Sequence, residues 1–240
     1  MQNVMSYISS VNPQSFDYEA ERMVKVQIEN SLELGWKKDE ILIVTDFPYS
    51  YNGIEAIVMN HKELRVGRRS RGFNKVLTIL HLYEQKLIKD GVFFHDLDAF
   101  QNIEFFDCPD KQYHKFKLSV AGYGDDIHYN AGCMFFGVSA LEIWKKIYSG
   151  CIQFGTDEEK TLNRLYPSGK QSEVGMLDIS YNVGKGETTK KFASGFQPSR
   201  IIHFHPAMRG NYSYYVQGNN DLKKPLVCER VGRLITKHFR

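Results

Sequence analysis

The sequence predicts an α/β fold, a sheet flanked by helices within one domain. Two observations predict it: short apolar β-rich runs alternate with stretches whose apolar residues recur at helical spacing. A third, the lack of any internal repeat or linker-like segment, assigns the 240 residues to a single domain, with residues 210–240 as a C-terminal extension.

Strands are predicted at Val4 to Ser9, Glu40 to Thr45, Ala56 to Met59, Val92 to Asp96, Ala131 to Val138 and Ile201 to Phe204. The first helix carries Ala20, Val24, Ile28 and Leu32 at four-residue spacing, with Met23 beside them, and stops at Gly35. It returns the chain to the strand at Ile41. A second helix follows Asn74, with Val76, Leu80, Tyr83 and Leu87 on one face and Gly91 past its end. The third starts at Ser139 with Glu142 in capping-box spacing, and buries Ala140, Ile143, Trp144 and Ile147. Thr156 and Glu159 repeat that signature for a fourth helix, followed by Leu162 and Leu165. From Gly169 to Pro198 the chain reads as loops around one short strand, Met176 to Ile179.

Composition removes several classes. A hydrophobic share of 42% beside 25% charge belongs to a chain with a packed core, which excludes disordered, collagen-like and coiled-coil proteins. The net charge of +3 is too balanced for a surface given over to gripping nucleic acid. No apolar run reaches the roughly 18 to 20 residues of a membrane span. Met1 to Met5 lack the basic and apolar segments of a leader, so a cytoplasmic location is expected. Cys108, Cys133, Cys151 and Cys228 are scattered without metal-binding spacing and read as reduced, mostly buried residues.

The chemistry-bearing residues lie at strand ends. The run Val92 to His95 enters Asp96, Leu97 and Asp98, and alternate residues of an extended chain face one side, so both carboxylates can meet a hard divalent cation beyond the sheet. Ligands of α/β sheets bind at that end of the strands. His203 and His205 share a side near a second strand end, where Pro206 stops the strand; Mn²⁺ accepts an imidazole beside carboxylates. Between these segments Gly122 to Gly132 enters a strand, with small residues at Ala131 and Gly132 and the amide of Asn130 suited to a polyhydroxyl ligand. Asp157 and Glu158 occupy a first helical turn, where the helix dipole alone favours acids; acid/base or acceptor-binding roles are carried beside that reading. Arg65, Arg68, Arg69 and Arg71 with Lys75 form one basic cluster, able to hold phosphates in a loop, to bind RNA, or to serve as a solvated turn.

In this order the segments resemble GT-A-fold glycosyltransferases, and among them the glycogenin-like members of glycosyltransferase family 8, from about Ser6 to Arg209. The apolar strand ending at Asp96, Leu97 and Asp98 matches the DxD segment, Asn130 to Gly132 the Asn-x-Gly strand entry, and Thr156 and Asp157 through Asn163 the acidic helix start before Leu-Asn. His203 and Phe204 match the His-Phe pair; Arg209 stands where the family has lysine and Pro206 where it has a small residue, and the family's following Pro-Trp is missing. Asn74 and Lys75 resemble the start of the helix before the DxD strand.

The resemblance implies a Rossmann-like GT-A sheet, mixed and mostly parallel. It implies a nucleotide-sugar donor, UDP being the nucleotide expected, and a hydroxyl acceptor. Asp96, Asp98 and His203 would hold Mn²⁺ or Mg²⁺; Lys75, Arg209, Asp96, Leu97, Asn130 and Gly132 would face the donor, with Ser9, Ser10 and Asn12 and then Asp46 near the base. It also implies retention of configuration, the leaving diphosphate taking the acceptor's proton while Asp126 or Asp157 orients the sugars. Inversion would instead call on Asp157 or Glu158 as general base. Two rivals are weighed: a sugar-1-phosphate nucleotidyltransferase, whose Gly-rich loop is not matched by Ser9 to Pro13, and a non-catalytic nucleotide- or RNA-binding protein, which the intact DxD and His-Phe segments disfavour.

Overall fold

The computed structural model describes residues 1–8, 16–60, 62–64, 71–105, 115–124, 127–170, 172–184, 199–204 and 227–239. In chain order the elements are β1 (Gln2–Tyr7), α1 (Tyr18–Glu33), β2 (Ile41–Thr45), β3 (Ser50–Tyr51), β4 (Ile54–Glu55), β5 (Ile57–Val58), α2 (Arg71–Glu84), β6 (Gly91–His95), β7 (Ala99–Gln101), β8 (Leu118–Gly122), β9 (Tyr129–Gly137), α3 (Leu141–Phe154), α4 (Glu158–Leu165), β10 (Val174–Met176), β11 (Ile201–His203) and α5 (Glu229–Phe239).

Seven strands form the main sheet in the order β10-β8-β9-β6-β1-β2-β5. β9 is antiparallel to both neighbours, and the other pairings are parallel, so one strand runs against six. Strand alternation gives each face its own core. Met5, Ile43, Phe93 and Phe135 join α1, α5 and the β7/β11 pair on one face. Val4, Val44, Phe94, Met134 and Phe136 meet α2, α3 and α4 on the other. Each of these buried side chains contributes roughly 1.5–3 kcal/mol relative to exposure.

Several element edges differ from the sequence reading. β1 starts at Gln2, two residues early, because the polar Asn3 is paired inside the structure: it is buried, donates to Ser31 Oγ at 2.9 Å and meets His95 Nε2 at 2.8 Å. β9 likewise starts early, at Tyr129. α2 begins at Arg71, so Asn74 lies inside it. Neither predicted capping box forms. Residues Val138–Ala140 make a 3₁₀ turn and α3 follows with no side-chain cap, while Glu142 pairs with Lys145 at 2.8 Å. α4 is capped by Asp157, whose Oδ1 accepts from Lys160 N at 2.9 Å. The short strand falls at Val174–Met176, set by its register on Leu118 to Val120, and Ile179–Tyr181 is a 3₁₀ turn.

The last helix is integral to the core. Val231, Leu234 and Ile235 are buried, and the basic residues turn to α1: Arg230 Nε donates to Asn30 Oδ1 at 2.8 Å, and Arg233 and Lys237 pair with Glu33 and Glu29. No helix among the described residues is long and apolar enough to cross a membrane.

Candidate active site

Beyond the C-terminal ends of β1 and β6 lies a cavity of about 300 Å³. It is lined by Ser6 and Tyr7 at the end of β1 and Ile8 after it, the N-cap Asp17 with Ala20 and Met23 of α1, Gly72 and Lys75 of α2, and Asp96, Leu97 and Asp98 after β6. Tyr123, Asn130, Glu158, Glu159 and His203 complete the lining. The position is the one an α/β sheet offers a ligand.

The turn carrying Asp96 and Asp98 is held from three sides. Asp96 N donates to Gly132 O of β9 at 2.9 Å, and Phe204 N, just past β11, donates to Asp98 O at 2.7 Å. From α1 the buried amide of Gln27 donates to Leu97 O at 2.9 Å and Ala99 O at 2.8 Å. So fixed, Asp96, Asp98 and His203 each present a ligand atom, all within 4.8 Å of one another. Asp98 and His203 are buried, with Asp98 Oδ1 3.4 Å from His203 Nε2. Two carboxylates and an imidazole are a donor set a divalent cation accepts. Gly132 makes room for the imidazole: a Cβ there would stand 2.2 Å from His203 Cε1.

Lys75 is the one ammonium in this lining. Its Nζ meets Asp96 Oδ1 at 2.7 Å, Glu158 Oε1 at 2.9 Å and Ala131 O at 3.0 Å, which uses its three donors. Burial alone would lower its pKa; Asp96 and Glu158 outweigh that and hold it above the ordinary lysine value. Glu158 does lie in the first turn of α4, as the sequence reading has it, and it has a tertiary partner besides the helix dipole. It is buried and paired, its carboxylate packed so closely on Gly72 that a Cβ there would lie 1.7 Å from Oε2. His95, one residue before Asp96, is pushed down to about 4 by burial and is neutral near pH 7.

Glu159 reaches the site unforeseen. Its side chain turns away from any capping role to accept from Tyr123 Oη at 2.7 Å, Ala131 N at 3.1 Å and Asn130 Nδ2 at 3.3 Å. Burial raises its pKa, opposed by the bonds from Tyr123 and Ala131. Asn163 locks α4 to the same strand entry, accepting from Tyr129 N at 2.8 Å and donating to Tyr129 O at 3.1 Å. The Leu-Asn segment thus works as a latch under Asn130.

Of the residues singled out from sequence, Lys75, Asp96, Leu97, Asp98, Asn130, Glu158 and His203 line the cavity, and Gly132 lies beneath the imidazole. Asp157 spends its oxygens on the α4 cap and on Lys160 Nζ at 3.2 Å, and does not join that lining. Asp46 follows β2 half-buried, also outside it. Ser9, Ser10, Asn12, Asp126, His205, Arg209 and the arginines at 65, 68 and 69 fall outside the described residues, as does the Arg71 side chain. Gln27 had a readable signal, since it is a polar residue on the buried stripe of α1.

No protein-family model matches the chain, and no curated protein sequence matches it. Solved structures do. The galactosyltransferase LgtC, solved with donor and acceptor sugar analogues, superimposes over 100% of this chain and 97% of its own with TM-score 0.61 at 13% identity. A glycosyltransferase involved in glycosylating the major capsid of PBCV-1 covers 98% of each chain, with TM-score 0.56 and 15% identity. GlyE of Streptococcus pneumoniae TIGR4, another glycosyltransferase, matches 85% of this chain and 54% of its own, with TM-score 0.54 and 16% identity. The chain has the GT-A glycosyltransferase fold. Its mixed, mostly parallel sheet is the one the resemblance implied, and the Asp96, Asp98 and His203 corner sits at the ligand-binding end of that GT-A sheet.

Proposed function

We propose that this chain is a metal-dependent glycosyltransferase that moves a sugar from a nucleotide-diphosphate donor, with UDP as the nucleotide, to a hydroxyl acceptor with retention of anomeric configuration. The charge of the cavity carries the reading. Five carboxylates line it, Asp17, Asp96, Asp98, Glu158 and Glu159, against the single ammonium of Lys75 among the described residues. A diphosphate would be repelled there unless a cation stood between, and the Asp96, Asp98 and His203 cluster is built to hold one.

A divalent ion, Mn²⁺ best matching the mixed oxygen and nitrogen set, would supply charge stabilisation for the departing diphosphate. The chain's own residues do the rest. Lys75, which pairs with Asp96 and Glu158, would give one N–H to the diphosphate, and Arg209, outside the described residues, would add a second positive charge. The loop from Ser9 to Asn12, flanked by the cavity residues Tyr7, Ile8 and Asp17, meets the base, with Asp46 nearby. Asn130, braced by Glu159 and Asn163, faces the sugar beside Leu97 and Gly132. Glu158 is neutralised by Lys75, which disfavours it as a general base and supports retention, with Asp126 or Asp157 orienting the acceptor.

A panel of nucleotide sugars with Mn²⁺, scored by thermal shift and slow donor hydrolysis, tests the donor class; no response to any member overturns the reading. Proton NMR of the first-formed glycoside tests the stereochemistry, and an inverted anomeric coupling would return Asp157 or Glu158 to the role of base.

A further inference from the structure

His203 is held on both ring nitrogens, and the two contacts differ. Nε2 faces Asp98 Oδ1 at 3.4 Å and belongs to the three-residue cluster. Nδ1 lies 2.9 Å from Oδ1 of Asn182, a fully buried residue in the stretch the sequence reads as loop. The other end of that amide settles which atom faces the ring: Asn182 Nδ2 donates to Gly122 O, on β8, at 2.8 Å. Turning the amide over would set its oxygen against a carbonyl oxygen and its NH₂ against the imidazole. The oxygen therefore points at Nδ1, and only an N–H satisfies it. A neutral imidazole carries one proton, so Nε2 is left with its lone pair toward Asp98 and the cluster.

The backbone makes this arrangement rigid. Val183 N donates to Ile201 O at 3.1 Å and His203 N to Val183 O at 2.8 Å, tying the strap that carries Asn182 along β11. Gly184 next to it, at φ +150°, passes so near that a Cβ would lie 2.1 Å from His203 O.

We propose that Asn182 is a positioning residue that fixes His203 as the Nδ1–H tautomer and so presents a bare Nε2 to a divalent cation. The proposal rests on the reading of Asp96, Asp98 and His203 as a cation site. Without Asn182 the proton moves to Nε2 and donates to Asp98, which removes the imidazole lone pair and occupies one carboxylate oxygen in the same step.

The test is ¹⁵N NMR of the histidine rings in the metal-free full chain at about pH 8, above the ordinary imidazole range, paired with Mn²⁺ titration followed by electron paramagnetic resonance. Wild type should show a protonated Nδ1 and an unprotonated Nε2 at His203. Asn182→Ala should shift the ring to Nε2–H and weaken Mn²⁺ about 10- to 100-fold. Asn182→Asp keeps an acceptor opposite Nδ1 but sets a second oxygen against Gly122 O, so it should hold the Nδ1–H tautomer and bind Mn²⁺ more tightly than Asn182→Ala, though less tightly than wild type. The proposal falls if wild-type His203 carries its proton on Nε2, or if Asn182→Ala leaves either the tautomer or the Mn²⁺ affinity unchanged. If Asn182→Ala does not fold, the wild-type ring pattern and the Asn182→Asp titration decide between the same outcomes. A wild type with the stated tautomer that binds no Mn²⁺ sinks the cation-site reading by itself, and with it the role of Asn182 toward a metal.

Discussion

Two clusters in this protein use the same residue types, carboxylate, lysine and histidine, to opposite ends. Where α5 meets α1, Glu29 accepts from Tyr51 Oη at 2.6 Å and Lys237 Nζ at 2.8 Å, with His238 Nε2 at 3.2 Å, so one carboxylate is met by three partners. At the cavity the balance is reversed. Asp96, Asp98, Glu158 and Glu159 line it with Lys75, which pairs with Asp96 and Glu158, and His203 is tied on its far nitrogen by Asn182. The first cluster matches its carboxylate with donors and holds a helix in place. The second sets four carboxylates against one lysine among the described residues, a surplus of negative charge that the proposed cation would offset.

The largest expected effect tests the excess directly. Asp96→Ala or Asp98→Ala should abolish Mn²⁺-dependent UDP binding in calorimetry while the protein stays folded, because each removes a ligand and relieves carboxylate repulsion. Unchanged UDP affinity in both variants would make the cavity cluster as structural as the one at Glu29.

Lys75→Met comes next. It strands Asp96 and the buried Glu158 without their cation, and breaking a buried pair in this way costs about 3–5 kcal/mol. Denaturant unfolding should show that loss, and saturating Mn²⁺ should recover part of it if a divalent ion takes up the same carboxylate. A loss that ignores Mn²⁺ would separate Lys75 from the cation site.

A smaller effect distinguishes the two sequence-predicted histidines. His203→Ala should weaken Mn²⁺ binding by about 10- to 100-fold, and His205→Ala, at a position outside the described residues, far less. The opposite order would shift the matched segment by two residues.

The same comparison shows what could be read from sequence. The carboxylates of Asp96 and Asp98 were legible because a strand's alternation fixes their side and an apolar run announces the strand; His203 was legible through the His-Phe pair. Glu159 was misread because its spacing from Thr156 fits a local capping box, and the tertiary bond to β9 prevailed over the local one. Asn182 lay in a stretch without periodicity, and its role comes entirely from contacts with Gly122 and His203, which are distant in the chain. The C-terminal stretch reads from sequence only as an extension, because the partners of Arg233 and Lys237, Glu33 and Glu29, lie about 200 residues away in α1.

The smallest expected effect concerns Glu29 and carries a pH signature. Burial raises its pKa, but bonds from Lys237, Tyr51 and His238 outweigh this and leave it below the ordinary 4.5. The folded state thus binds its proton less readily than the unfolded chain. The resulting stability is fully present above about pH 4.5 and is lost as pH falls through the lower folded value. Glu29→Gln should cost about 1–3 kcal/mol near neutral pH, as expected for hydrogen bonds to a charged group, and should flatten the acid limb of the stability curve. Because Glu29 lies far in function from the cavity, Mn²⁺-dependent UDP binding should be the same in this variant as in wild type. A Glu29→Gln protein that kept the full acid slope, or lost nucleotide binding, would mean that the two clusters are not separate, and that the balanced one at α5 contributes to the ligand site it was contrasted with.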